Sequence, residues 1–195
     1  QGEADSAWHL FETETGVESV ARGAESWRKV FAEVVARRNL TLHFQPVMSP
    51  DLSRTLHHEV LARMPNPATV GAMPDMTGPW IPAGVFWPVA IRLGYAQVLD
   101  QMVVEKVLAH VEAELGAGLR RTYAINLSAT SLRDTSFVSW LENVLSRAPD
   151  ASACVVFEVA EYAAVSTLDK VRDLGARLAE RGAGLAFDHF GAAAR

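Results

Sequence analysis

The chain has 195 residues, 49% of them hydrophobic and 21% charged, with a formal net charge of −5. That balance suits a globular domain with a substantial core and argues against a general nucleic-acid binder, which needs a basic surface. No apolar run reaches the roughly 18 residues of a membrane span, so no direct membrane insertion is expected. The single cysteine, Cys154, sits in the apolar run Ala153–Phe157 and reads as a core residue, with a reducing cytoplasmic setting as the default.

In chain order, residues 1–22 read as a linker, with Glu12-Thr-Glu-Thr-Gly16 polar and turn-prone. A connecting helix is predicted over 24–38, within a 23–39 segment, because Trp27, Val30, Phe31, Val34 and Val35 recur at helical spacing. Arg37 and Arg38 suit its C-terminal dipole, and Asn39 the left-handed stop. Leu40–Val47 alternates as a strand. The short link Met48–Arg54 predicts that the next strand, Thr55–Ala62, returns antiparallel as a hairpin.

Strand alternation puts Glu59, Leu61 and Arg63 on one face. A carboxylate four residues before a guanidinium offers a metal ligand beside a phosphate clamp. A cross-strand ion pair on a solvated sheet would use the same two residues. His57 and His58 read as flanking groups, one outward and one packed inward, rather than as ligands.

Residues 65–82 hold five prolines and two glycines, and a long ordered loop without a regular element is expected there. Trp80 and Trp87 beside it are expected to pack in the core, with stacking on a base as the alternative. Helices follow over 83–93 and 97–115. The second carries Val98, Met102, Val104, Val107, Leu108 and Val111 as a stripe and stops at Gly116 and Gly118. From there the chain repeats a unit: strand 122–127, helix 132–147, strand 154–159, helix 167–181, strand 184–188. Such alternation means parallel βα units with right-handed crossovers.

Each of these three strands ends an apolar run with a metal-capable oxygen: Asn126, Glu158 and Asp188. The spacings are 32 and 30 residues, and Glu59 lies 67 residues before Asn126, close to two such units. The four side chains should therefore emerge at the same end of adjacent strands, where β/α barrels build their sites. Three carboxylates and an amide converging there would repel without cations, and hard oxygen donors suit Mg²⁺, Mn²⁺ or Ca²⁺. Any one of them alone reads equally as a polar strand end or a helix cap.

The segments Phe44-Gln-Pro-Val, Glu59-Val-Leu-Ala-Arg63, Asn126-Leu-Ser-Ala, Glu158-Val-Ala-Glu161 and Asp188-His-Phe-Gly191 resemble, in order and spacing, the motifs of EAL domains. The resemblance runs from about Leu40 to Gly191. It implies a TIM-like β/α barrel with an antiparallel first strand pair, of which the first five strands are present, and a family that hydrolyses or binds the bacterial messenger cyclic di-GMP. It further implies Glu59, Asn126, Glu158 and Asp188 as Mg²⁺ or Mn²⁺ ligands, and Gln45, Arg63 and Asp188 as ligand contacts. Gly23–Arg28 and Ile81–Phe86 look like the LapD-type branch, membrane receptors that carry a GGDEF domain before the EAL domain. On that reading residues 1–22 end or follow a GGDEF domain, 40–195 are the N-terminal part of the EAL domain, and a homodimer and the adjacent GGDEF domain are the expected partners. The setting would be the cytoplasmic part of an inner-membrane signalling protein.

The departures from the family pattern bear on activity. The Glu-Ala-Leu signature reads Glu59-Val60-Leu61, a mild change in a strand. Glu-Leu-Thr-Glu becomes Glu158-Val-Ala160-Glu161, which loses a hydroxyl. The paired aspartates of Asp-Asp-Phe-Gly become Asp188-His189, and imidazole is a poor Mg²⁺ ligand. The family's later lysine, glutamate and glutamine have no counterpart, and a barrel typically takes about 250 residues, so a fragment of a longer domain is expected. A cyclic di-GMP receptor, a metal-dependent phosphodiesterase with Glu59, Glu158 and Asp188 as its catalytic carboxylates, and a dimerisation scaffold are the three functional readings. The Asp-to-His change favours the first.

Overall fold

A computed structural model describes residues 16–66, 79–160 and 168–188. Helix α1 (Gly16–Arg37) leads into a hairpin of β1 (Thr41–Met48) and β2 (Thr55–Pro65). The turn between them is held by Asp51, whose carboxylate accepts from the Ser49 hydroxyl at 2.5 Å and the Ser53 hydroxyl at 2.8 Å. Strand β3 (Trp80–Pro82), helices α2 (Ala83–Leu93) and α3 (Ala96–Gly116), and strand β4 (Tyr123–Asn126) follow. Next come α4 (Ala129–Arg133), α5 (Thr135–Arg147), the single turn α6 (Pro149–Ser152), β5 (Val155–Ala160), α7 (Leu168–Ala179) and β6 (Gly184–Asp188).

The sheet order is β1-β2-β4-β5-β6, with β3 pairing onto β2. The β1–β2 pair is antiparallel, in the register Gln45 opposite Glu59, while β2–β4, β4–β5 and β5–β6 are parallel. The hairpin and the parallel βα repeat are therefore as the sequence predicts.

One face of this sheet is packed under helices. On β2 the buried residues are Val60, Ala62 and Met64; on β5 they are Val155, Phe157 and Val159. Against them lie Leu99, Val103 and Val107 of α3, Phe137, Leu141 and Leu145 of α5, and Leu174 and Leu178 of α7, all buried. Each of these side chains larger than Ala62 is worth about 1.5–3 kcal/mol on leaving water. Cys154 is buried as expected. A polar clamp sets the end of α3 against the start of β4: the Tyr123 hydroxyl donates to Glu114 at 2.6 Å, and Arg121 pairs with the same carboxylate. Burial and the Glu114 charge push the Tyr123 phenol up to about 12.

Four details differ from expectation. The first helix starts at Gly16, upstream of 24, and its left-handed stop is Arg38 at φ 50°, not Asn39. The Asn39 N–H reaches the Val34 carbonyl at 2.9 Å and the Arg38 N–H that of Val35 at 3.2 Å, a closing pattern that puts the strained position one residue earlier. The 65–82 stretch does contain a regular element, β3, whose Trp80 lies opposite Pro65. It survives the prolines because it is three residues long and needs few donors. The 132–147 helix is two helices broken at Asp134, whose carboxylate caps α5 by accepting from the Ser136 and Phe137 N–H groups at 2.8 and 3.1 Å.

Candidate functional site

The unpacked face of the sheet collects the side chains that the sequence singles out. Alternation from buried Val60, Ala62 and Met64 turns Glu59, Leu61 and Arg63 to the opposite side, where all three are half-buried. Gln45, cross-strand from Glu59, is exposed on the same face. In the parallel ladders Glu59 stands level with Ala124, Asn126 with Glu158, and Ala160 with Asp188. Because residues two apart share a face, Glu59, Asn126, Glu158 and Asp188 all face one way. They form a staggered row that climbs toward the C-terminal ends of the strands.

The charges in this row act on one another. The Glu158 carboxyl is pushed up first by burial, then by the Asp188 charge, with Glu59 adding to the rise and His57 opposing it. Carboxylates that crowd in this way are what a hard cation relieves. Among the described residues, however, no group of three His, Cys, Asp or Glu side chains is close enough to hold a metal ion by itself. The donors fit Mg²⁺ or Mn²⁺ in chemical kind. Arg63 directs one nitrogen to its own strand, Nη1 donating to the Ala62 carbonyl at 3.0 Å. Glu161 and His189 lie outside the described residues.

The histidine pair divides as alternation requires. His57 faces the carboxylates, near enough to oppose the rise at Glu158. His58 points to the packed side, stacks on Tyr123 at 5.4 Å between ring centroids, and leaves its Nδ1 without a hydrogen-bond partner. Trp87 packs against the core, as expected, whereas Trp80 is 39% exposed and does not.

The sequence reading missed the group that secures Asn126. Asp100, 1% exposed near the start of α3, accepts from the Ser128 hydroxyl at 2.6 Å, the Ser128 N–H at 3.2 Å and the Ser131 hydroxyl. Ser128 in turn caps α4 through the Ser131 N–H at 3.2 Å. The Leu127 N–H reaches the Glu158 carbonyl at 2.9 Å. Asn126 is thus followed by two anchored residues. Burial, outweighing these hydrogen bonds, pushes the Asp100 carboxyl up to about 6. A lone aspartate within an apolar helical stripe was the available signal.

A β/α sheet with a hairpin start and a row of oxygen donors on its open face has the architecture of EAL-type β/α barrels. A family model of the EAL domain matches residues 28–194, and the chain belongs to that family. Cyclic di-GMP phosphodiesterase PdeF of Escherichia coli K12 is 27% identical over 136 residues, which are 70% of this chain and 17% of that protein. The Vibrio cholerae LapD S helix-GGDEF-EAL structure superposes with a TM-score of 0.74 at 22% identity, covering 88% of this chain and 39% of that one. The FimX EAL domain of Pseudomonas aeruginosa, solved bound to cyclic di-GMP, gives a TM-score of 0.67 at 28% identity, covering 85% and 62%. The chain spans less than a quarter of the length of the curated relatives it matches. Among the described residues no helix is long and apolar enough to cross a membrane.

Proposed function

We propose that this chain is the first part of an EAL domain that binds cyclic di-GMP and serves as a receptor rather than a fast phosphodiesterase. The observation that carries the reading is the single sheet face shared by Glu59, Arg63, Asn126, Glu158 and Asp188. A cyclic dinucleotide has two phosphodiesters; the Arg63 fork pairs with one, and Gln45 supplies an amide for a guanine edge. Glu59, Asn126, Glu158 and Asp188 would hold a divalent ion. When bound, that ion supplies Lewis acidity at the phosphate and lowers the pKa of a coordinated water.

Hydrolysis by two ions requires enough anionic donors to hold both. Glu59, Glu158 and Asp188 bring three charges, and His189 stands where the family resemblance places a further aspartate. The receptor reading follows from that shortage. The phosphodiesterase reading is the runner-up, favoured by the retained Glu59, Asn126 and Glu158 and by the likeness to PdeF. The LapD-type arrangement, with a GGDEF domain near residues 1–22, a homodimer and a cytoplasmic position beneath a membrane, belongs to the same proposal.

The test is to incubate the full-length protein with cyclic di-GMP and Mg²⁺ or Mn²⁺, measuring binding and the linear dinucleotide together. Saturable binding with little or no linear product is expected. His189→Asp should strengthen Mg²⁺ binding and raise residual turnover. Rapid turnover in Mg²⁺ by the unmodified protein, above about 1 s⁻¹ as ordinary enzymes reach, would transfer the domain to the phosphodiesterases.

A further inference from the structure

The two edges of β2 are occupied differently along its length. One edge carries β1 from Thr41 opposite Arg63 to Met48 opposite Thr55. The other carries β4 only at His58 and Glu59, and β3 then takes the same edge at Arg63, Met64 and Pro65. β3 therefore takes the β2 edge beyond the stretch that β4 occupies, on the C-terminal side of Glu59.

Within β3 the side chains alternate. Ile81 lies opposite Met64, both fully buried under the helices, so Trp80 and Pro82 turn to the other face with Pro65 and Arg63. Trp80 is the diagonal cross-strand neighbour of Arg63, at roughly 7–8 Å between Cα atoms and within reach of a long side chain. On the described strands the Phe and Tyr rings, Phe44, Tyr123, Phe157 and Phe187, all fall on the opposite face by the same alternation. On the described strands Trp80 is thus the one indole, phenol or phenyl ring on this face, beside the smaller imidazoles of His43 and His57, and it is 39% exposed. A guanidinium and an indole one diagonal apart match the two ends of a nucleotide, its phosphate and its base.

We infer that Trp80 is a base-stacking wall of the ligand site, contacting one purine of a dinucleotide whose phosphate lies at Arg63. The inference rests on the cyclic di-GMP reading and deepens it by assigning a residue to the base. Stacking needs a π-face and not merely bulk, so the aromatic and aliphatic replacements separate it from a packing role.

The experiment is calorimetric titration of the full-length protein with cyclic di-GMP, comparing wild type, Trp80→Phe, Trp80→Leu and Arg63→Ala, with melting temperatures measured alongside. Trp80→Leu should bind roughly 5–150-fold more weakly, as the loss of one stacked base gives. Trp80→Phe should stay within about threefold of wild type, and both should melt as wild type does. If Trp80→Leu binds as wild type does while Arg63→Ala is weakened, Trp80 is not a base contact and the cyclic di-GMP reading stands. If Trp80→Phe is as weak as Trp80→Leu with melting unchanged, stacking is overturned as well. If the wild-type protein does not bind cyclic di-GMP at all, the reading and the inference fall together.

Discussion

The two faces of the sheet are made by the same strands and do opposite things. On β5, Val155, Phe157 and Val159 are buried under helices, while Val156, Glu158 and Ala160 between them are only half-buried. Stability is concentrated on the first face, where burial of apolar area dominates. The second face carries carboxylates in an uneasy setting: burial first, and then the Asp188 and Glu59 charges, push the Glu158 carboxyl up. Substitutions should therefore sort by face. Packed-side changes alter folding, and open-side changes alter binding at nearly constant stability.

The largest effect is expected from the packed side. Phe157→Ala removes a fully buried ring from the core under the helices and should cost about 3–5 kcal/mol in denaturant unfolding. A loss below about 1 kcal/mol would mean that this face is not the core.

Asp100 sits behind the site rather than in it, and tests whether a buried charge follows the same division. Its folded carboxyl is raised to about 6 from 3.8, so the stability linked to it is present below about pH 4 and lost as pH rises through 6. Between pH 4 and 7 the wild type should lose on the order of 3 kcal/mol relative to Asp100→Asn, two pH units at about 1.4 kcal/mol each. Thermal melts of both proteins across that range check it. A difference that runs the other way would mean that the serine hydrogen bonds outweigh burial.

On the open side, Arg63→Ala in the full-length protein should weaken cyclic di-GMP binding by about 1.5–3 kcal/mol, as for a charge-assisted hydrogen bond. Its melting temperature should hardly move. Unchanged affinity by calorimetry would remove Arg63 from the site.

The smallest effect separates stability from ligand binding at one residue. Because the Glu158 carboxyl is raised, its ionisation opposes folding once pH rises above the ordinary glutamate range. Glu158→Gln should melt slightly higher than wild type at pH 7 and equally at pH 4, while binding divalent ions more weakly. A lower melting temperature at pH 7 would show that Glu158 is already balanced by favourable partners.

The site was more legible in the sequence than its supports were. Glu59, Asn126, Glu158 and Asp188 each end or interrupt an apolar strand pattern, and the roughly 30-residue βα period places them at one end of neighbouring strands. A local rule thus predicts a long-range arrangement. The hairpin was equally legible, because a link as short as Met48–Arg54 leaves an antiparallel return as the simple solution.

What only the tertiary structure decided are the contacts with no local period. Asp100 meets Ser128 and Ser131 across 28 and 31 residues, and nothing in its own helix announces those partners. Trp80 and Trp87 look alike in a proline-rich neighbourhood, yet pairing with β2 turns one outward while packing takes the other inward. Sequence alone determined which residue types alternate along each strand. Which face then meets helices and which stays open depends on the crossovers, and those are fixed by burial summed over the whole sheet.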